Sequence, residues 1–367
     1  MNDLGFIALE SAENMGSRIE KILSEWHEGE HFRVPVSCPR FSSGEAKGIV
    51  GASIRDRDLY ILVDVCNNSL TYKMNGTPNR MSPDDHYQDL KRVIAACNGR
   101  AARLTVIMPF LYEGRQHRKT SRESLDCAIM LRELEQMGVD RIITFDAHDP
   151  RMQNVVPLTD VENISPSLQF TQALLTEYED LRLDGEHLMF IAPDEGATGR
   201  VVFMASLFGV NIGMFYKRRD YTRIVDGTNP IVAHEFCGGS VEGVDVFVVD
   251  DMIASGGSIL DVARQLKSRG ARRVFLFATF GLFTSGMDKF DKAYAEGCFD
   301  RIFTTDLVYQ DPELLKREYY CSVGMSRYVA ALIDTLHRGD SLAPLVKPEH
   351  RIRQMLELYR QAPTERT

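Results

Sequence analysis

No stretch of this sequence approaches the ~18 consecutive apolar residues that a membrane helix needs, and its longest run of Lys and Arg is the three residues Lys217-Arg218-Arg219. The first absence excludes a helical membrane span. The second, with a formal net charge of -9 from 43 Lys+Arg against 52 Asp+Glu, argues against a nucleic-acid surface. Phosphate-bearing ligands must therefore be held by local features. Cysteine is sparse and unpaired in pattern: Cys38, Cys66, Cys97, Cys127, Cys237, Cys298 and Cys321 stand singly, an odd number with no C-x-x-C among them. That excludes a disulfide framework and points to reduced thiols in a cytoplasmic protein. The start, MNDLGFIALESAENMGSRIEKIL, lacks a basic region followed by an apolar core, so a secretory leader is not expected. Repeats of solenoid period and low-complexity tracts are absent as well.

What is present is alternation. At 367 residues the chain is long enough for two or three domains of about 100–200 residues each. Strand-like runs such as RLTVIMPFL, RIITFDAH, HLMFIAPDEG, VNIGMFYKRR, VDVFVVDD, RRVFLFATFGLF and DRIFTTDLVY recur, several followed by helical periodicity as in SLDCAIMLRELEQMG and GRVVFMASLFG. This order predicts an α/β chain with mainly parallel central sheets flanked by helices. The pattern occurs twice, with a break where Pro157, Asn163 and Pro166 interrupt the apolar period. We expect an N-terminal domain over 1–165, a C-terminal domain over 166–325, and a helical segment over 326–367 that packs back on the N-terminal domain. Residues 66–86, rich in Asn, Pro and Ser, read as a surface loop without nameable chemistry.

The most informative stretch is FVVDDMIASGGSILDVARQLKSRG, Phe247 to Gly270. A strand ends in two aspartates and a small-residue turn opens a helix. Ser255, Gly256, Gly257 and Ser258 present amides and hydroxyls at a helix N-terminus, where partial positive charge and unpaired donors favour a phosphate. Asp250 and Asp251 cannot hold that phosphate; carboxylates accept from hydroxyls or ligate Mg²⁺. The ligand should carry a phosphate at one end and a diol or metal at the other, a description that ribose 5-phosphate fits. Other strand ends are polar too, and strand ends are the ligand edge of an open α/β sheet. FDAHDPRMQ carries Asp146 and His148, and IAPDEGATGR carries Asp194 and Arg200. FYKRRDYTR carries Lys217, Arg218 and Arg219, cations suited to charge that collects in phosphoryl transfer. YEGRQHRKTSRES packs Arg115, Gln116, His117, Arg118, Lys119 and Arg122 into a density that suits a polyphosphate. In RFSSGEAKG, Phe41 offers a face to a purine and Glu45 an acceptor for an exocyclic amine. Each has a plainer reading as a cap, a turn or a solvated surface.

Taken in order, RFSSGE, GRQHRK…SRES, FDAHD, PDEGATGR, YKRR and VVDDMIASGGS resemble the ribose-phosphate diphosphokinase, or phosphoribosyl pyrophosphate (PRPP) synthetase, family over about residues 38–330. The resemblance implies two phosphoribosyltransferase-like domains and a homo-oligomer, dimer-based and up to a hexamer. It implies transfer of the diphosphoryl group of MgATP to the C1 hydroxyl of ribose 5-phosphate, giving PRPP and AMP. By it, Asp250, Asp251, Ser255, Gly256, Gly257 and Ser258 bind ribose 5-phosphate, and His148 and Asp194 bind Mg²⁺. Lys217 and Arg219 stabilise the transition state, and Phe41, Glu45, Arg115 and Gln116 hold ATP. Departures mark a divergent branch: Ser43 and His117 stand where the family commonly has Asp, Gly199 where it has Lys, and Ala254 where an acidic residue is frequent. These substitutions leave room for a catalytically silent regulatory subunit, and the shared loop for a phosphoribosyltransferase.

Overall fold

The computed structural model describes residues 2–219 and 231–361. The chain divides into two compact units: 1–166 with 306–309 and 324–346, and 167–305 with 310–323 and 347–367.

In the first unit the order is β1 (Leu4–Ala8), α1 (Glu13–Trp26), the short β2 (Val36–Ser37) and β3 (Ile49–Val50), then β4 (Asp58–Leu62), β5 (Thr71–Met74) and β6 (Thr77–Arg80). There follow α2 (Pro83–Cys97), β7 (Arg103–Ile107), α3 (Asp126–Gln136), β8 (Arg141–Phe145) and β9 (Asp160–Ile164). The main sheet runs β1-β4-β7-β8-β9, parallel throughout. Strands β1, β4, β7 and β8 are largely apolar and buried, as parallel strands covered on both faces are, and Ile61, Val106 and Ile142 are fully buried. Helix α2 shows how local sequence sets an element. Ser82 caps it and exchanges hydrogen bonds with Asp85, Pro83 occupies the first turn, and Asn98 closes it in the left-handed conformation at φ 52°.

Residues 66–86 are not the featureless loop expected. They contain an antiparallel hairpin, β5 against β6, turned by Asn75 at φ 51° and Gly76 at φ 82°. An Asn-Gly pair with both residues at positive φ is the two-residue hairpin signature, and it was there to be read.

In the second unit come α4 (Ser167–Glu177), β10 (Leu188–Ala192), α5 (Thr198–Phe208), β11 (Asn211–Arg219), β12 (Ile231–Cys237) and β13 (Asp245–Ile253). Then follow α6 (Gly257–Ser268), β14 (Arg273–Gly281), α7 (Asp288–Ala295), β15 (Arg301–Thr305) and β16 (Tyr320–Val323). The sheet order is β12-β11-β10-β13-β14-β15-β16, parallel except for the β11–β12 pair at one edge. One face is an aromatic ladder. Phe247 of β13 meets Phe190 of β10 at 5.3 Å and Phe275 of β14 at 5.1 Å, and Phe277 of β14 stacks on Phe303 of β15 at 4.6 Å. Edge-to-face and offset pairs at this spacing add to the burial that holds the sheet.

The C-terminal segment, expected as one piece on the N-terminal domain, is divided. Helix α8 (Ser326–His337) lies in the first unit beside α1, and α9 (Ala343–Val346) ends that stretch. Helix α10 (Glu349–Gln361) belongs to the second unit, where it packs on α4 and α5 through the buried Ile352 and Leu356. The hydroxyl of Tyr359 anchors it by donating to the Tyr178 carbonyl at 2.7 Å.

Each sheet carries a buried aspartate at the start of a central strand, clamped by arginine from the start of its neighbour. Asp58 of β4, 3% exposed, receives both nitrogens of Arg103 of β7 at 2.7 and 2.6 Å. Asp245 of β13, 1% exposed, is gripped by Arg272 and by Arg273 of β14. Hydrogen bonds with His337 and then Arg103 at Asp58, and with Arg272 and Arg273 at Asp245, outweigh desolvation and hold both carboxyls below the ordinary carboxylate range. Asp245→Ala takes away the carboxylate that Arg272 and Arg273 share, leaving Arg273 with Asp180 alone, and we expect it to cost about 3 kcal/mol in urea unfolding. A loss within the scatter of surface substitutions would refute the clamp.

Candidate ligand-binding sites

The strand, turn and helix expected from Phe247 to Gly270 are present. One detail differs: β13 runs through the acidic pair to Ile253, so Asp250 and Asp251 are paired strand residues and not its terminus. Three residues, Ala254 to Gly256, then turn the chain into α6. Gly256 sits at φ 81°, and a Cβ there would lie 2.2 Å from Cζ of the fully buried Phe290. Both the backbone conformation and the approach of the ring demand glycine. Gly257, by contrast, has open space around it, its nearest neighbour being the Ser255 hydroxyl at 4.0 Å. Ser255, Gly257 and Ser258 are exposed while Gly256 is buried, so the loop's donors reach solvent and its hinge does not.

Asp250 and Asp251 carry the charge of this edge. The Asp251 amide donates to Asp250 Oδ1 at 2.9 Å, and Arg200 of α5 stands 3.9 Å from Asp251 Oδ2. Burial, then the neighbouring Asp251 carboxylate, then the charge of Asp194 push the Asp250 carboxyl well above its ordinary value. Asp194 follows β10, the strand beside β13, and caps the short helix Glu195–Ala197 by accepting from the Gly196 amide at 3.0 Å. The fold thus brings Asp194, Asp250 and Asp251 to one sheet edge and adds Arg200, whose partner sequence reasoning did not name. Lys217 and Arg219 fall in the last three positions of the adjoining strand β11, and their side chains lie outside the described residues.

In the first unit two sites form. The turn from Phe41 to Glu45 is closed by amide donation from Phe41 to the Glu45 carbonyl at 2.7 Å and from Gly44 to the Phe41 carbonyl at 2.9 Å. It leaves the Phe41 ring 53% exposed. The Ser43 hydroxyl donates to Glu45 Oε2 at 2.9 Å, which gives a role to the serine that stands where the family has Asp. The β5–β6 hairpin supports this turn. The Arg40 guanidinium lies 4.5 Å over the Tyr72 ring, the Asn75 amide donates to the Ser42 carbonyl at 2.9 Å, and Met74 Sδ lies 2.8 Å from where a Gly44 Cβ would be. Gly44, at φ 93°, is fixed by that contact as well as by its backbone.

The second site lies where the loops after the neighbouring strands β7 and β8 meet. Arg115, Arg118, Lys119 and Arg122 are exposed. Gln116 is tied back by its side-chain amide, which donates to the Ser124 carbonyl at 3.0 Å. His148, exposed after β8, has the His117 ring 5.4 Å away, and His117 Nε2 is 3.4 Å from Asp149. Asp146 holds φ 41°, unusual without glycine, with its amide donating to the Ile164 carbonyl at 2.9 Å. Among the described residues no three His, Cys, Asp or Glu side chains converge into a ready-made metal cage.

Residues 4–138 match the N-terminal domain of ribose phosphate pyrophosphokinase, and residues 158–317 match the phosphoribosyl transferase domain. A ribose-phosphate pyrophosphokinase of Vibrio parahaemolyticus is 27% identical over 314 residues, 84% of this chain and 90% of that protein. One from Ralstonia nicotianae is 26% identical over 86% of this chain and 92% of its own. The phosphoribosylpyrophosphate synthetase of Mycobacterium smegmatis shares the fold, with a TM-score of 0.74 and 20% identity, over 92% of this chain and 99% of that one.

Because its pKa rises on folding, Asp250 makes the folded state bind more protons than the unfolded one. Its contribution to stability therefore falls as pH rises above the ordinary carboxylate range. Asp250→Asn removes that penalty. We expect the variant to melt higher than the parent at about pH 8, with the gap closing towards about pH 4; a variant that melts lower at both would show that the acidic pair is not strained.

Proposed function

Because this chain belongs to the ribose-phosphate pyrophosphokinase family, we propose that it binds ATP and ribose 5-phosphate and transfers the diphosphoryl group of ATP to the sugar's C1 hydroxyl. The products are PRPP and AMP. The observation that carries the reading is the edge of the second unit, where the half-buried, charge-strained Asp250 and the buried Asp251 stand one tight turn ahead of the exposed residues Ser255, Gly257 and Ser258.

The geometry supports the division of labour. The sugar phosphate takes the N-terminus of α6, where the helix dipole and free amides favour an anion. Asp250 and Asp251 accept from the ribose hydroxyls and so set which face of C1 is presented. On the first unit the exposed Phe41 face takes the adenine by stacking, Glu45 accepts from its exocyclic amine, and Arg115 with Gln116 meets the phosphates. Lys217 and Arg219 we assign to the phosphoryl oxygens that gather charge as the reaction proceeds. The C1 oxygen bonds to the β-phosphorus, the bond from that phosphorus to the oxygen bridging to the α-phosphate breaks, and the hydroxyl proton is lost to solvent. No side chain stands out as a general base, so the protein's contribution is positioning and charge neutralisation.

The donors present fit Mg²⁺. Asp194 and its neighbouring carboxylates are hard oxygen ligands, and the raised Asp250 carboxyl marks negative charge that a divalent cation relieves. We assign Asp194 on the second unit and His148 on the first each to metal binding, with phosphate oxygens and water completing the shell in either case. Bound there, Mg²⁺ neutralises phosphate charge and polarises the transferred group. The family's oligomeric habit leads us to expect a homo-oligomer as the working form.

The deciding assay mixes the purified protein with ribose 5-phosphate, MgATP and inorganic phosphate and separates AMP and PRPP by chromatography. Equal amounts of both, lost in Asp251→Asn, are expected. Ribose 5-phosphate binding without AMP would overturn the enzyme reading in favour of a silent subunit. In the active protein Lys217→Ala should depress kcat far more than it changes either KM; a loss confined to KM would remove the transition-state role.

A further inference from the structure

The position after Arg115-Gln116 holds a histidine, and the fold gives that histidine the surroundings of a metal ligand. The His117 and His148 rings are 5.4 Å apart between centres and inclined at 55°. That separation lets both imidazoles reach one ion at the usual metal–nitrogen distance of about 2.1 Å. His117 Nε2 faces Asp149 Oδ2 at 3.4 Å, and its other ring nitrogen, Nδ1, is buried without a hydrogen-bond partner. A buried polar atom left unpaired costs free energy unless something not yet present satisfies it. A carboxylate on one ring nitrogen with the lone pair of the other left open is the arrangement that orients a metal-binding imidazole. Asp149 is itself fixed: the Arg151 side chain and amide bond it, at 2.6 to 2.9 Å.

We propose that His117 is a second imidazole ligand beside His148, and that this pair biases the nucleotide-side metal of this protein from Mg²⁺ towards ions that accept nitrogen, such as Co²⁺ or Mn²⁺. The inference rests on the assignment of His148 to the metal. Its chemistry is direct. Mg²⁺ favours oxygen and dehydrates reluctantly, whereas first-row transition ions take imidazole readily and bind it with affinity rising from Mn²⁺ to Co²⁺. Two imidazoles are too few for a complete shell, in keeping with the absence of a three-residue cage among the described residues; phosphate oxygens and water supply the rest. Asp149 is a positioning residue here, acting through His117.

The test is a titration of the substrate-free full-length protein with Co²⁺, read by its visible absorption, followed by competition with Mg²⁺. The parent should bind Co²⁺ with a nitrogen-ligand spectrum that a large excess of Mg²⁺ is needed to displace. His117→Asp and His117→Asn should each weaken Co²⁺ binding by about tenfold or more, while His117→Asp leaves Mg²⁺ competition equal or stronger. Asp149→Asn should weaken Co²⁺ less than either. Unchanged Co²⁺ affinity and spectrum in both His117 variants would overturn the proposal. So would displacement of Co²⁺ by an equal concentration of Mg²⁺ in the parent. The titration needs no turnover, so it decides the metal question even in a protein that forms no PRPP, an outcome that counts against the proposed activity alone. With activity present, the ratio of PRPP formed with Co²⁺ or Mn²⁺ to that with Mg²⁺ should fall in His117→Asp.

Discussion

Negative charge held out of water is the constraint on which the second unit turns. A parallel strand covered on both faces can carry a carboxylate only near an edge, and β13 carries two in succession, with Asp194 from the next strand adding a third charge. Desolvation and like-charge repulsion both oppose ionisation there, so the edge is poised for something that supplies hydroxyl donors or positive charge. The tight turn at Gly256 places a helix N-terminus immediately beyond it. One short segment therefore joins a region that rejects anions to one that attracts them, and only a ligand with different chemistry at its two ends satisfies both.

The starts of β4 and β13 show what the protein does with aspartate away from that edge. Asp58 and Asp245 are as buried as Asp251, yet each has close guanidinium partners at the adjacent strand and a lowered pKa. Paired charge at strand starts locks neighbouring strands in register. At the far end of β13 the Asp250 carboxyl is held among other carboxylates, a strain that a ligand can release on binding. Burial is common to the two settings; the strand starts add close guanidinium pairs, whereas the far edge gathers like charge.

In the first unit the elements that depart from the family pattern are linked by contact. The hairpin at residues 71–80 braces the turn that presents Phe41. Ser43 satisfies Glu45 within that turn, where an aspartate would repel it. His117 meets His148 across the loops of adjacent strands. These changes have stereochemical company within the first unit.

Much of this was legible in the sequence. Period-two and continuous apolar runs specify buried parallel strands because the backbone alternates its side chains, and Gly256 with its serines announces an anion loop because only glycine turns a strand into a helix so tightly. The Asn75-Gly76 hairpin was equally legible and passed over amid polar residues. What the linear order could not contain is proximity: that His117, thirty-one positions before His148, shares its loop cluster, that Arg200 reaches Asp251, or that the last forty residues divide between the units. Local rules act through the backbone's own periodicity and so can be read from neighbours in sequence. Charge coupling, burial and shared ligation fall off with distance in space, and only the folded sheet order sets those distances.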